Sequence, residues 1–100
     1  ISPTYDVVKE LMKKKIKVKV HDPFFSYDPL LPKEVKLSNE LDKVISGVDI
    51  IIISTDHDEY KEIDEEYIIK KSKKKPIIFD GRNILNKDNF KKLKTLTIGK

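Results

Sequence analysis

The segment Val48-Asp49-Ile50-Ile51-Ile52-Ile53-Ser54 is almost wholly apolar and β-branched. β-Branched side chains favour extended backbone, and an unbroken apolar run is typical of a strand buried on both faces of a parallel sheet. A similar apolar run returns in Ile77-Ile78-Phe79. These two segments predict buried strands, and the polar residues that follow each of them predict loops at the carboxyl edge of a sheet.

Helical and extended patterns alternate outward from this strand, and the alternation predicts the α/β class. The fold we expect is a Rossmann-like three-layer domain with a mostly parallel sheet. In chain order the sequence predicts a helix over 2–14, a strand over 16–20, an irregular loop over 23–34 that packs some apolar surface, an extended segment over 35–37, a helix between 39 and 47, the strand 48–54, a helix capped by Asp64, the strand 77–79, a short helix over 88–93 and a strand over 96–98.

The predicted order opens on a helix, whereas doubly wound domains normally open on the strand that seeds the sheet. We therefore expect that the first strand is missing, and that residues 1–100 form a single truncated domain of a larger protein. The strands that would flank the missing one lose a hydrogen-bonding partner, so we also expect self-association through their edges.

Composition argues against several classes of function. The net charge is +4, but the runs Lys13–Lys15 and Lys73–Lys75 follow helical patterns, where cations complement the helix dipole. No aromatic residues alternate with these lysines, so we predict no nucleic-acid binding. Because the chain has 0 cysteines, it has neither disulfides nor a cysteine nucleophile. The absence of a long apolar run and of a secretory signal predicts cytoplasmic residence without membrane association.

Three polar clusters follow predicted strands: His21-Asp22-Pro23, Thr55-Asp56-His57 and Asp80-Gly81-Arg82-Asn83. Open α/β sheets bind ligands at the carboxyl ends of their strands. Arg82 is the only arginine, and a planar guanidinium can bind phosphate or carboxylate through two donors at once. The alternative is a solvated turn arginine, or one that pairs with Asp80. In this turn, Gly81 could supply a positive φ that points Arg82 outward.

The other polar residues predict structural roles. His57 lies between Asp56 and Asp58, but adjacent loop residues rarely converge on one metal ion, so we expect His57 to cap the loop and predict no metal site. Asp22 could be compared with an acid that holds a dinucleotide ribose, but no glycine fingerprint accompanies it, and Asp22-Pro23 favours a turn. No nucleophile and base occur with a third orienting group, so we predict no catalytic residue in this chain.

Four blocks occur in a specific order along nearly the whole chain. They are Ser2-Pro3 at the start of a helix, His21-Asp22-Pro23 after a strand, Thr55-Asp56-His57-Asp58-Glu59-Tyr60-Lys61, and Phe79-Asp80-Gly81-Arg82-Asn83-Ile84-Leu85. In this order the chain resembles the C-terminal, UDP-binding domain of the UDP-glucose/GDP-mannose dehydrogenase family.

The resemblance implies an NAD-dependent enzyme of polysaccharide biosynthesis that oxidises the C6 alcohol of a UDP-sugar to a carboxylate. It implies that NAD and the catalytic cysteine and lysine belong mainly to an N-terminal part, that the parent is a homodimer or higher oligomer, and that this chain alone is inactive. By resemblance Arg82 contacts the UDP-sugar, with Asn83, Thr55 and Asp56 as further substrate-binding candidates. His57 favours the UDP-N-acetylmannosamine type, with UDP-glucose next.

Two alternatives stay open at this point. A regulatory or interaction module, such as a receiver-like domain, would need an acidic pocket around Asp56. A basic nucleic-acid-binding domain would need the lysines on one face, with binding that weakens steeply with salt.

Overall fold

The computed structural model describes residues 3–97, and the side chains of residues 4–97. Every pairing among the described strands is parallel, which confirms the predicted α/β class with a parallel arrangement. The predicted cap Ser2 and Ile98, the end of the predicted last strand, lie outside the described residues. The elements are α1 (Pro3–Lys13), β1 (Lys19–His21), β2 (Lys36–Ser38), α2 (Leu41–Ile45), β3 (Ile50–Ile53), α3 (Asp58–Lys61), α4 (Glu65–Ser72), β4 (Ile77–Asp80), a 3₁₀ turn (Lys87–Asn89) and β5 (Thr95–Thr97).

The chain divides into two compact units, residues 1–44 and residues 45–100. The first unit contains α1 and a two-stranded sheet, in which Lys19 of β1 lies beside Lys36 of β2. The second unit contains a three-stranded sheet in the order β3-β4-β5.

A left-handed turn ends α1 and shortens the predicted strand over 16–20. Lys15 has a φ of 62°, and the amides of Lys15 and Ile16 donate to the carbonyls of Met12 at 2.9 Å and Leu11 at 3.1 Å. This pair of bonds is the Schellman arrangement, which satisfies carbonyls at the end of a helix. Ile16 therefore closes the helix and is 47% exposed, and β1 begins only at Lys19. The prediction of a strand from Ile16 is wrong.

The segment between β1 and β2 is irregular, as predicted, but its aromatic side chains lie on the surface. The Asp22 carboxylate accepts hydrogen bonds from the amides of Phe24 at 2.8 Å and Phe25 at 3.3 Å, so backbone contacts hold the turn. Phe24 is 72% exposed and Tyr27 is 77% exposed. The loop was expected to pack some apolar surface, and for its aromatic side chains this expectation is wrong: hydrogen bonds to Asp22 hold the turn and leave the rings at the surface.

One face of the three-stranded sheet carries the core of the second unit. Ile53 and the fully buried Ile78 pack there against apolar residues of the connecting segments. The Asp64 side chain accepts from the Tyr67 amide at 2.8 Å and confirms the predicted cap of α4. The other members of this core are Tyr60, Ile68, Leu85, Phe90 and Leu93.

The opposite face of this sheet is apolar and partly exposed. Ile50 and Ile52 of β3 are 53% and 39% exposed, and Ile77 beside Ile50 is 37% exposed. The prediction that 48–54 is buried on both faces is therefore wrong for the described structure. The cause is that the connections over 58–72 and 84–93 contribute their apolar side chains to the core on the other face.

The predicted helix over 88–93 is only the 3₁₀ turn at 87–89. The amides of Lys92 and Leu93 donate to Oε2 of the buried Glu65 at 2.9 Å and 3.1 Å. Because these amides are bound to a side chain, they do not continue a helix. This contact joins the start of α4 to the segment that enters β5.

Candidate functional site

The carboxyl ends of β3 and β4 lie side by side, and two of the predicted polar clusters follow them. Ile53 and Asp80 are Cα partners, and the Gly81 amide donates to the Ile53 carbonyl at 3.0 Å. The segment that begins at Ser54 and the turn that begins at Gly81 therefore leave the sheet next to each other. This edge is where open α/β sheets bind ligands, and it is the candidate site.

Asp80 holds the turn that carries Arg82. Its side chain is fully buried; Oδ1 accepts from the amides of Arg82 at 3.3 Å and Ile84 at 3.2 Å, and Oδ2 accepts from the Leu85 amide at 2.9 Å. Oδ2 also accepts from Nζ of Lys87 at 2.7 Å. A buried charge is stable only with partners of this kind, so the turn and the carboxylate fix one another.

These contacts also determine the ionisation of Asp80. Burial alone would raise its pKa, but the Lys87 ammonium and the amides of Leu85 and Ile84 outweigh burial and hold the pKa of Asp80 below its usual value. Asp80 is therefore ionised at neutral pH and forms a charge-compensated pair with Lys87. The two charges are opposite, so the pair adds no net negative charge at the turn.

Gly81 and Asn83 give the turn its shape, though not in the way the sequence predicted. The expectation of a positive φ at Gly81 is wrong, since the residue with a positive φ is Asn83, at 55°. A Cβ on Gly81 would lie 2.8 Å from the Ile53 carbonyl oxygen, so glycine is required there by the close approach of β3. Asparagine tolerates the left-handed region better than most residues. Asn83 Oδ1 also accepts from Lys87 at 3.5 Å.

Arg82 is exposed on this turn. Its backbone amide is bound to Asp80, while its guanidinium makes neither an ion pair nor a hydrogen bond to any residue within 3–97. The alternative in which Arg82 pairs with Asp80 is excluded, because the charged partner of Asp80 is Lys87. Because the backbone of Arg82 is held and its guanidinium is unpaired within residues 3–97, the guanidinium can donate two hydrogen bonds at once to a phosphate or a carboxylate.

The neighbouring segment holds the other predicted site residues. Thr55 is partly buried, and Asp56 is exposed and pairs with Lys61 Nζ at 3.4 Å. The Asp56 carboxylate and, to a smaller extent, the Asp58 carboxylate raise the pKa of Lys61. The prediction of a loop over 55–60 is wrong from residue 58 onward, because Asp58–Lys61 form α3.

His57 occupies the N-cap position of α3, and its side chain makes no capping hydrogen bond to that helix. Its ring lies edge-on to Tyr60, with ring centroids 5.5 Å apart. Among the residues that the structure describes, no three or more acidic, histidine or cysteine side chains form a cluster that could hold a metal ion.

The third predicted cluster, His21-Asp22-Pro23, belongs to the first unit. Asp22 accepts from two backbone amides of its own turn, which confirms the turn that Asp22-Pro23 predicted. The structure therefore brings two of the three clusters together within one unit.

Lys87 is the residue that sequence reasoning missed. It lies seven positions after Asp80, in one of many lysine-containing polar segments, and nothing in its spacing separates it from the solvated lysines. Only the fold shows that its ammonium reaches a buried carboxylate.

The chain was compared with known proteins. Residues 1–87 match the model of the UDP-glucose/GDP-mannose dehydrogenase family, UDP binding domain. The chain belongs to this family. The family predicted from four sequence blocks is therefore confirmed. No helix in the described part of the chain is long and apolar enough to cross a membrane.

Relatives in this family include dehydrogenases of two substrate types. The UDP-N-acetyl-D-mannosamine dehydrogenase of Methanocaldococcus jannaschii is 39% identical over 93 residues, which cover 91% of this chain and 20% of the relative. The UDP-glucose 6-dehydrogenase of Rickettsia conorii is 38% identical over 97 residues, 92% of this chain and 22% of the relative. The chain therefore spans about a fifth of the length of these family members.

A solved structure in the same group supports the fold. The NDP-N-acetyl-D-galactosaminuronic acid dehydrogenase from Methanosarcina mazei Go1 superposes with a TM-score of 0.84 at 29% identity, covering 98% of this chain and 20% of that one. The match confirms the predicted Rossmann-like α/β fold of the dehydrogenase family.

Proposed function

We propose that this chain binds the nucleotide of a UDP-sugar and that Arg82 is the residue that contacts it. The observation that carries the proposal is an exposed arginine without a side-chain partner in the described structure, on a turn fixed by a buried ion pair at the ligand-binding edge of the sheet. The match to a UDP-binding domain supports the nucleotide.

Three further residues are proposed substrate contacts at this edge. Thr55 and Asp56 follow β3, directly beside the Arg82 turn, and Asn83 is the next residue of that turn. Asp56 and Asn83 already have protein partners, Lys61 and Lys87, so a ligand would share or displace these contacts. Thr55 has no charge to neutralise and can donate or accept a hydrogen bond.

For the whole protein we propose an NAD-dependent dehydrogenase that oxidises the C6 alcohol of a UDP-hexose to the uronic acid, in the cytoplasm and as a homodimer or higher oligomer. The names of the relatives support a UDP-sugar substrate. UDP-N-acetylmannosamine is favoured, since this name recurs among the relatives and since His57 led to the same choice, and UDP-glucose is next. The proposal assigns NAD mainly to residues outside this chain and assigns no catalytic residue within it.

Calorimetric titration of UDP, GDP and ADP into this chain, and into the complete natural protein that carries it, tests the nucleotide proposal. We expect UDP to bind more tightly than GDP or ADP in at least the complete protein. Equal affinity for the three nucleotides, or no binding of UDP by either protein, would overturn the proposal. Titration of UDP-N-acetylmannosamine against UDP-glucose then decides the sugar.

A further inference from the structure

We propose that Asp80 and Lys87 are positioning residues, whose buried ion pair fixes the turn over 81–85 so that Arg82 meets the nucleotide with little loss of freedom. The inference rests on the proposed function of Arg82 and adds to it two residues that never touch the ligand in this scheme.

Three hydrogen bonds to one carboxylate close the turn. The Asp80 carboxylate lies before the turn and accepts from the amides of Arg82, Ile84 and Leu85, within and at the end of it. A turn held only by its own backbone would have several accessible conformations, whereas three amides bound to one buried group leave few.

Lys87 makes three contacts around the turn. Its Nζ lies 2.7 Å from Asp80 Oδ2, 3.4 Å from the Leu85 carbonyl oxygen and 3.5 Å from Asn83 Oδ1. One ammonium therefore contacts the residue before the turn, a residue within it and the residue that ends it. The Lys87 side chain is 31% exposed, so this pair is screened less by water than the surface ion pairs of the chain.

The Arg82 side chain, in contrast, does not help to hold the turn within residues 3–97. The side-chain hydrogen bonds that hold the turn involve Asp80 and Lys87, and the Arg82 guanidinium takes part in none of them within residues 3–97. The turn is thus ordered before a ligand arrives, and the guanidinium is left for the ligand. A preordered contact loses less conformational entropy on binding than one ordered by the ligand.

The test is a double-mutant cycle in the complete natural protein that carries this sequence. The proteins are the wild type, Lys87→Met, Arg82→Lys and the double variant, each checked for folding by thermal unfolding. Asp80→Asn is left out of the cycle because its NH2 group would place a donor where the Asp80 carboxylate now accepts from backbone amides or from Lys87. Lys92→Met is the matched control, since Lys92 Nζ also forms a 2.9 Å ion pair with an acid, Glu66, but on the surface. The first readout is the dissociation constant for UDP.

We expect Lys87→Met to weaken UDP binding about fivefold when Arg82 is present and less than about twofold in the Arg82→Lys background, which is a coupling of more than about 2.5-fold. Loss of a positive charge acting at long range would weaken binding equally in both backgrounds, and that result would overturn the proposal. Lys87→Arg, which retains a donor for Asp80, should recover most of the affinity.

Hydrogen exchange of the Ile84 and Leu85 amides without ligand is the second readout. Faster exchange in Lys87→Met, but not in Lys92→Met, is the expected result, and unchanged exchange would overturn the positioning role. Because this readout needs no UDP, failure of the wild type to bind UDP would reject the proposed function while the exchange data still decide whether the pair orders the turn.

Discussion

The carboxylate of Asp80 makes a pH-dependent contribution to the stability of the fold. Its pKa is lower in the folded chain than the ordinary value of about 3.9, so the unfolded state takes up the proton first as pH falls. The contribution is therefore complete above the unfolded-state pKa and is lost as pH falls through the folded-state pKa. Glu65 acts in the same direction, because bonds from the Lys92, Lys91 and Leu93 amides outweigh burial and lower its pKa.

Asp80→Asn should destabilise the chain at pH 7 by about 1–3 kcal/mol, since an amide replaces the charged acceptor of a buried network. The difference from wild type should begin to shrink below about pH 4, where the carboxylate of the unfolded wild type takes up its proton before that of the folded chain. Urea unfolding between pH 3 and 7 measures it. Asp49→Asn, which alters an ion pair at an 82% exposed side chain, is the control and should have a smaller effect. A difference independent of pH would contradict this account of Asp80.

Gly81→Ala should destabilise the chain by about 1–3 kcal/mol, because the new Cβ lies against backbone that cannot move without disturbing the β3-β4 pairing. The comparison is Gly47→Asn, at a φ of 73° with nothing within 4 Å of an added Cβ, where asparagine tolerates the left-handed backbone. The midpoints of urea unfolding of both variants measure how much stability each substitution removes. Equal effects would mean that the 2.8 Å approach does not explain Gly81.

From individual residues, the sequence could identify Arg82 as a candidate ligand contact, but it could not identify the residues that hold its turn. The arginine is unique in composition and follows a recognisable strand, so chemistry alone drew attention to it. Lys87 is one of many lysines, and the close approach that requires Gly81 depends on the register between two strands. Those facts exist only after β3 and β4 are paired.

Elements with a strong local signal were predicted well. β3, β4 and the cap of α4 follow from β-branched runs and from an acid before a helical pattern, which are determined by neighbouring residues. The element ends that were predicted wrongly depend on other contacts. The left-handed backbone of Lys15 places Ile16 at the end of the helix and not in the strand. The Glu65 carboxylate binds two amides that would otherwise continue the predicted last helix. A contact across 27 and 28 positions has no local signature.

Glu65→Gln tests the contact between α4 and the segment before β5. Glutamine keeps an acceptor oxygen but loses the charge that strengthens both bonds, so the urea midpoint should fall clearly at pH 7. Glu66→Gln is a matched control, since Glu66 is the next residue and contacts Nζ of the same Lys92, but as an exposed pair. A fall of the same size in both variants would show that the buried bonds of Glu65 add nothing.

For the molecule as a whole, the family and the α/β fold agree with the four sequence blocks and with the alternation of helices and strands. The exposed apolar face of the second unit was not predicted, because burial on two faces depends on which elements cover a sheet and not on the composition of its strands. The ligand site is limited in the same way. The sequence indicates which residue types can bind the ligand, and only the fold shows the sheet edge at which they lie together.

This chain alone should form no NADH when mixed with NAD and a UDP-sugar, because we assign the catalytic groups and most of the NAD site to other parts of the protein. Absorbance of NADH at saturating UDP-N-acetylmannosamine and UDP-glucose measures this. Turnover by the chain would reject that assignment.

The most direct test of the central claim is calorimetric titration of UDP into the wild type, Arg82→Lys and Lys70→Arg, the last being a conservative exchange at an exposed position of α4. The account predicts that Arg82→Lys weakens binding by about tenfold or more, about 1.4 kcal/mol, because an ammonium cannot make the two-point contact. Lys70→Arg should leave the affinity unchanged. UDP binding of equal strength in all three proteins would contradict the claim that Arg82 holds the nucleotide.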